Sequence, residues 1–530
     1  MERGQKPLLT SVNAGLKVTR RRLLEGAALL GLAAGDQILL SPADAQTPAA
    51  VVVAQSADVD TCDPAKSTGL ATVAVLVNVY DTLVRRDATL SLKPGLALSW
   101  RAVDPTTWEF KLRQGVKFHN GEAFNADAVK FSFDRMLDPA THWPGAGDLR
   151  LLKSTTVVDA YTVRFATAQP WPELPRFFGY YGMIVPPGYL KQNGPDALVR
   201  QPVGTGPYRF VSWVRDDHVE LQANPDYWGG RPKIGHVFFR VIPTDAPRVA
   251  GLLAGSVQLA NLLPPQLFSA LTTDPKTKLA VGKSLSVFFV IYNMVNIAKD
   301  KPLADPRVRQ ALNYAIDRKS ILSSVMHNVG TPVATFCSEV MDAYDPSIPP
   351  FPYDPNKARA LLREAGYANG FDFSISGTSG TYPGDRDIVL AIAEQLNQVG
   401  VRTKVNITEI GVQLSAVLAR KLPEDGWFTR FTDFFGIAYI IPLRAFYSPG
   451  EWSQWRPGYA PFNQLVEAAQ SAPDAAALRD ACKRLQAMYK EQAPAISLFT
   501  APNANGLSSD LVWTPRPDLE LRMFDALWGR

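Results

Sequence analysis

Between Phe371 and Val405 the chain reads strand, loop, helix, strand: "FDFSISG", a helix from Ile388 to Val399, Gly400, then "VRTKV". A helix of that length between two strands predicts a parallel pair with a crossover connection. The helix before it is punctuated in the same sense. Asp354 caps, Pro355 opens the first turn, Ala358, Leu361, Leu362 and Ala365 form the buried face, and Gly366 stops it. Asp305-Pro306 repeats this punctuation ahead of Val308, Ala311, Leu312, Ala315 and Ile316. In the first half, Trp108, Phe110 and Leu112 alternate with charged residues as a half-buried strand does, and Asn125 can cap a helix through Leu137. "YRFVSWVRDDHVELQAN" after Gly206-Pro207 carries two alternating runs around Arg215-Asp216-Asp217, a hairpin signal. The chain is therefore expected to be α/β throughout, in at least two lobes.

The N-terminus is of another kind. Arg20, Arg21 and Arg22 stand directly before an apolar run, Leu23 to Gly35, that is too short to span a bilayer. Ala43-Asp44-Ala45 follows with the small-x-small pattern of a signal cleavage site. Residues 1–45 are expected to be a signal peptide, and Thr19-Arg20-Arg21-Arg22-Leu23-Leu24 resembles the twin-arginine type, with Glu25 departing from it. The mature chain would start near Gln46 in the periplasm. Of the net charge of +5, six basic and four acidic residues before position 46 account for +2, leaving +3 for residues 46–530. That excess is spread out with no basic run, so no nucleic acid partner is expected. Cys62, Cys337 and Cys482 have no metal spacing; one bridge or three buried thiols both fit them.

"NVYDTLVRRD", "LKPGLALSW", "TWEFKLRQGVKFHNGEAFNADAVKFSFDRMLDP", "GTGPYRFVSW", "NPDYWGGRPKI" and "LADPRVRQALNYAIDRKSI" occur in that order. Together they resemble the extracellular solute-binding proteins of family 5, the dipeptide, oligopeptide and nickel group, over nearly the whole mature chain. The resemblance implies a two-lobed periplasmic-binding-protein-like fold with an additional domain in the first lobe. The expected limits are 46–81, 205–285 and 495–530 for the first lobe, 82–204 for the extra domain, and 286–494 for the second lobe. Crossings between lobes are expected near Lys283 to Val290 and Ala493 to Phe499. The implied function is that of a monomeric substrate-binding protein of an ABC importer. It captures a small organic solute, peptide-like or not and aromatic or not, and delivers it to the membrane permease subunits. The alternative is an exported hydrolase or redox enzyme.

The residues give that alternative little. Gly204-Thr205-Gly206 lacks a third glycine and runs into a strand, Ser379 does not fit a nucleophile elbow, and the five histidines have no ligand spacing. No catalytic residue, metal or cofactor is expected.

The stretch "EDGWFTRFTDFFGIAYIIPLRAF" crowds aromatics around Arg430 and Asp433. It reads either as a buried strand or as a cleft wall whose rings stack on a solute and whose charges orient it. The candidate ligand-binding residues are Trp427, Phe428, Thr429, Arg430, Phe431, Thr432, Asp433 and Phe434, with Thr378, Ser379 and Tyr382 from the loop after "FDFSISG". In the family this segment supplies an aspartate for a ligand's amino group, which Asp433 matches best. The second aspartate of the peptide binders is replaced here by Ile437-Ala438-Tyr439. Their carboxylate-binding arginine would fall near Gly380-Thr381, where only Arg386, several residues on, is available. An ordinary dipeptide is therefore not expected as ligand, and Asp433 is expected to face Arg430 or a ligand cation. Asp58, Asp60, Cys62, Asp63, Trp143 and Phe177 to Gly182 could contribute from the other lobe.

Overall fold

The structure is a computed structural model that describes residues 50–295, 298, 300–450, 452–454 and 459–529. The expected leader, with Arg20, Arg21 and Ala45, lies outside the described residues. No helix among the described residues is long and apolar enough to cross a membrane.

The strand–helix–strand unit forms as its pattern predicts. Asp372–Gly377 pairs in parallel with Arg402–Ile407, Ile375 opposite Val405, and Asp385–Asn397 is the crossover helix. Gly426–Thr432 lies on the other side of Asp372–Gly377, then Ser286–Tyr292 and Ala495–Thr500, making a five-stranded sheet. Helices cover both faces, which is why "SVFFVIY" is apolar without alternation and buried at every position. Asp305 and Asp354 cap their helices through the backbone N–H groups of Arg307 and Lys357 at 2.8 and 2.9 Å. This sheet is the core of the second lobe.

The first lobe is built on a seven-stranded sheet around Val51–Gln55, which runs parallel to His236–Val241 and to Leu259–Ala260. The expected hairpin, Tyr208–Val214 with His218–Ala223, closes one edge, and its turn places Asp216 at φ +61°, a conformation Asp tolerates. A four-stranded antiparallel sheet from Ala97 to Thr167 carries the helix Ala126–Leu137, with Asn125 accepting from the Ala128 N–H at 3.1 Å. Phe133 of that helix meets Phe165 of the sheet edge-on at 4.8 Å.

The chain crosses between the two large sheets after Gly282 and again after Thr500. Ala495–Thr500, expected with the first lobe, pairs with Ser286–Tyr292 of the five-stranded sheet. Its six residues are all buried, so the edge of the five-stranded sheet holds them until Pro502 breaks the strand. One apolar cluster runs from the first lobe through the antiparallel sheet into the face of the five-stranded sheet covered by residues 437–489. A second fills the opposite face of that sheet.

Candidate functional site

Alternation along the middle strand Gly426–Thr432 divides the aromatic stretch. Trp427, Thr429 and Phe431 point to the face covered by the helices after residue 440, with Trp427 against Phe431 at 6.1 Å. Phe428, Arg430 and Thr432 point to the other face. Phe428 is fully buried there and stacks on Phe288 at 5.3 Å, and the Thr432 hydroxyl lies 2.7 Å from that of Ser286. Only Arg430 of this strand reaches a cavity of about 920 Å³ between the lobes.

That cavity is walled by the loop after Asp372–Gly377, by Arg430, and by Asp245, Arg248 and Pro264 of the first lobe. The loop is wound around one carboxylate. Asp385 accepts from the Thr378 hydroxyl at 2.8 Å and from the N–H groups of Gly380, Thr381 and Tyr382 at 3.0, 2.9 and 3.2 Å. Gly380 and Gly384 sit at φ +78° and +71°, which lets the chain curl back onto the helix that Asp385 begins. Thr378 is thus a buried support of the loop, whereas Ser379 is exposed and lines the cavity with Tyr382.

Tyr382 packs on Phe288 and Phe428, and its ring lies 5.1 Å from the Arg430 guanidinium carbon. Among the described residues Arg430 makes no ion pair, and its enclosed Nε has no hydrogen-bond partner. Burial pushes its pKa down, with only the Tyr382 phenol opposing. Arg248, nearly enclosed at 3% exposure, pairs with Asp245, while its Nε also lacks a partner. Arg386 lines the same cavity from the exposed side of the loop. The cavity lining holds Arg248, Arg386 and Arg430 against Asp245, Asp385 and Asp387; Asp245 pairs with Arg248 and Asp385 is turned onto its own loop, while Arg430 has no carboxylate opposite it among the described residues.

Asp433 is elsewhere. It is fully buried and faces neither Arg430 nor the cavity. Its carboxylate accepts from the Phe435 N–H at 2.9 Å and from that of Ile437, organising the turn in which Gly436 takes φ +73°. Burial outweighs these bonds and pushes its pKa up to about 7. The reason is position: Asp433 follows the strand's last paired residue, so the chain has already turned away from the cavity.

Beyond Asp433 the seam between the lobes is filled. Phe434 stacks on Tyr180 at 5.3 Å, and Phe435 lies on Phe177 at 4.3 Å and Tyr181 at 5.2 Å. Arg86 donates to the Phe434 carbonyl. Arg444 bridges both oxygens of Asp148 through Nη2 at 2.6 and 2.7 Å, and the Tyr181 hydroxyl donates to the same carboxylate at 2.9 Å. Trp143 packs edge-on against Tyr181 at 4.9 Å. The remaining first-lobe candidates also have structural partners. Asp58 accepts from Trp213 Nε1 at 3.1 Å, Asp60 from the Ser67 hydroxyl at 2.8 Å and Asp63 from Arg135 at 2.8 Å. Cys62, Cys337 and Cys482 are unbridged and buried. Arg248, Arg444 and Asp148 were not singled out in the sequence, where nothing local marks them.

The family model for bacterial extracellular solute-binding proteins, family 5 (middle), matches residues 91–425. The chain is 32% identical over 379 residues to the glutathione-binding protein GsiB of Escherichia coli (strain K12), covering 71% of this chain and 73% of that one. HbpA2 of Haemophilus parasuis superposes with a TM-score of 0.80 at 25% identity, over 91% of this chain and 100% of the other. The periplasmic binding protein DppA of Helicobacter pylori, in complex with the peptide STSA, superposes with 0.73 at 25% identity, over 91% and 98%.

Proposed function

The chain belongs to the bacterial extracellular solute-binding proteins of family 5 and is a substrate-binding protein of an ABC importer, and we propose that its solute carries a carboxylate held by Arg430. The observation that carries this is the unpaired guanidinium on the Tyr382 ring, in a cavity that both lobes line. A half-buried cation whose Nε is enclosed without a partner is poorly solvated, and a solute anion offsets that cost on binding. Arg430 and Gly380-Thr381 line the same cavity, so the strand delivers a cation to the loop where the peptide binders carry theirs. The ligands in the relatives' names, glutathione and a peptide, both carry carboxylates and favour the same class.

Ser379 and Tyr382 complete the proposed site on the second lobe. Asp433 is proposed as a support of the turn that follows, not as a ligand contact. The solute is handed to membrane permease subunits by a monomeric protein that is exported to the periplasm, its leader removed near Ala45. The proposed lobe limits follow the two sheets, with the second crossing moved past Thr500.

Mass spectrometry of the solute released from the purified protein identifies the ligand, and calorimetry tests the anchor. The carboxylic acid is expected to bind at least about 2 kcal/mol more tightly than its amide, and Arg430→Gln is expected to erase that difference. Equal affinity for acid and amide would exclude Arg430 as a carboxylate anchor.

A further inference from the structure

A second cavity, of about 460 Å³, lies between the ribbon Val84–Arg86 with Leu92–Pro94 and the C-terminal segment, and shares no lining residue with the solute cavity. Arg85, Arg86, Lys93, Arg516 and Arg522 line it, against Asp87 and Asp525. Lys93 pairs with Asp87 at 3.3 Å, and Arg85 with the buried Asp81 at 3.2 Å. The other three arginines share two buried carboxylates. Asp518 takes Arg86 at 3.0 Å and Arg516 at 2.8 Å, and Glu520 takes Arg86 at 3.1 Å and Arg522 at 2.6 Å. Asp525 is exposed and lies within ion-pair distance of no cation among the described residues. The enclosed cluster of three guanidiniums and two carboxylates is thus left with one positive charge that no neighbour balances.

We propose that this cavity binds a phosphate group, as the free ion or on a small organic body. The donors for it are in place. Among the described residues Arg522 commits only Nε to the protein, so Nη1 and Nη2 have no protein partner. Arg85 uses only Nη2, towards Asp81 and the Tyr227 hydroxyl, and its enclosed Nε has no partner; nor has the enclosed Nε of Arg86. The Arg85 guanidinium carbon lies 4.8 Å from the Trp228 ring and 5.8 Å from that of Phe524, so rings fix the fork without occupying its donors. A carboxylate offers two oxygens to such an array, whereas a phosphate offers acceptors to several forks at once and carries the charge the cluster lacks. Val512, Trp513 and Phe524 give the same cavity an apolar wall against which an organic body can lie. The site is independent of Arg430 and of the carboxylate assigned to it.

The test is calorimetry of the full protein with inorganic phosphate and with phenyl phosphate, in chloride-free buffer of low ionic strength where screening is least. One phosphate per chain is expected. Arg85→Met and Arg522→Met should each weaken it at least about tenfold, the loss of a charge-assisted fork. Lys93→Met, at a side chain 56% exposed, should weaken it by about threefold and gives the readout should the arginine variants fail to fold. Arg430→Gln, in the other cavity, should leave phosphate affinity unchanged. Tighter binding of phenyl phosphate assigns the apolar wall to an organic body, and equal or weaker binding assigns the cavity to the free ion; either result keeps the site. No phosphate binding in the millimolar range overturns it. So do folded Arg85→Met and Lys93→Met proteins that bind phosphate as the wild type does, or phosphate binding that is lost in Arg430→Gln.

Discussion

Two ends of one seam, a few residues apart on the same chain segment, are built on opposite principles. At Arg430 the lobes leave a cavity and a cation that no described residue pairs. From Phe434 to Arg444 rings of the two lobes pack on one another, and Arg444 has its carboxylate. Buried polar atoms without a hydrogen-bond partner occur at both ends, Arg430 Nε at the first and Trp143 Nε1 and the Tyr180 hydroxyl at the second, so the contrast lies in the charges: Arg444 has a carboxylate opposite it, and Arg430 has none among the described residues.

The contrast can be broken in four ways. The largest effect is expected for Phe435→Ala at the sealed end. It removes a fully buried ring wedged between Phe177 and Tyr181 and should cost about 3 to 5 kcal/mol in chemical denaturation. A loss below about 1 kcal/mol would mean the rings are not packed as a core. Next comes Arg444→Met, which leaves Asp148 partly buried with one hydrogen bond in place of three contacts. A loss of about 2 kcal/mol is expected from the same measurement. Arg430→Met should behave with the opposite sign, leaving stability unchanged or raising it by about 1 kcal/mol while solute binding collapses. Destabilisation of the solute-free protein by that change would show that Arg430 has a structural partner.

The last effect is read as a slope. Glu173, buried beside Arg176, has its pKa pushed up from 4.5 to about 7 by burial, which Arg176 opposes and Asp342 and Asp433 reinforce. A carboxylate whose folded pKa exceeds its unfolded value binds more protons in the folded state. Its contribution to stability is complete below about pH 4 and lost as pH rises through about 7. Stability should therefore fall between about pH 4.5 and 7. Glu173→Gln should flatten that fall by up to about 1.4 kcal/mol per pH unit, and an unchanged slope in thermal denaturation would assign it to other groups.

Much of this architecture is legible in the sequence because it is local. Asp305-Pro306 and Asp354-Pro355 announce helix starts, Arg215-Asp216-Asp217 a hairpin, and the "FDFSISG" to "VRTKV" unit a parallel pair. Each signal needs only residues a few positions apart. The candidate site is legible only in part. The alternation of Trp427 to Thr432 gives two faces, but not which face borders the cavity, since that depends on helices far along the chain. The resemblance matches Asp433 to the family's ligand-binding aspartate and leaves Arg430 or a ligand cation as its partner. Its partners are backbone N–H groups, which carry no sequence signature. The pairing of Asp148 with Arg444 is invisible for a similar reason: no pattern links positions so far apart.

The two crossings carry a mechanical consequence. Thr277–Gly282 and Asn503–Ser508 are antiparallel partners in one sheet, and Ser286–Tyr292 and Ala495–Thr500 are partners in the other. The chain thus passes between lobes as one two-stranded strap, tied at its waist by the Ala501 N–H to the Ser286 carbonyl at 2.9 Å. A paired ribbon resists sliding of one strand past the other, because every ladder bond opposes it, yet it flexes readily about the line across its narrow width. It works as a flexure joint with a single soft axis, so the second lobe should swing like a page on a spine, neither twisting nor drifting, and repeated opening should return the cavity wall to the same place each time.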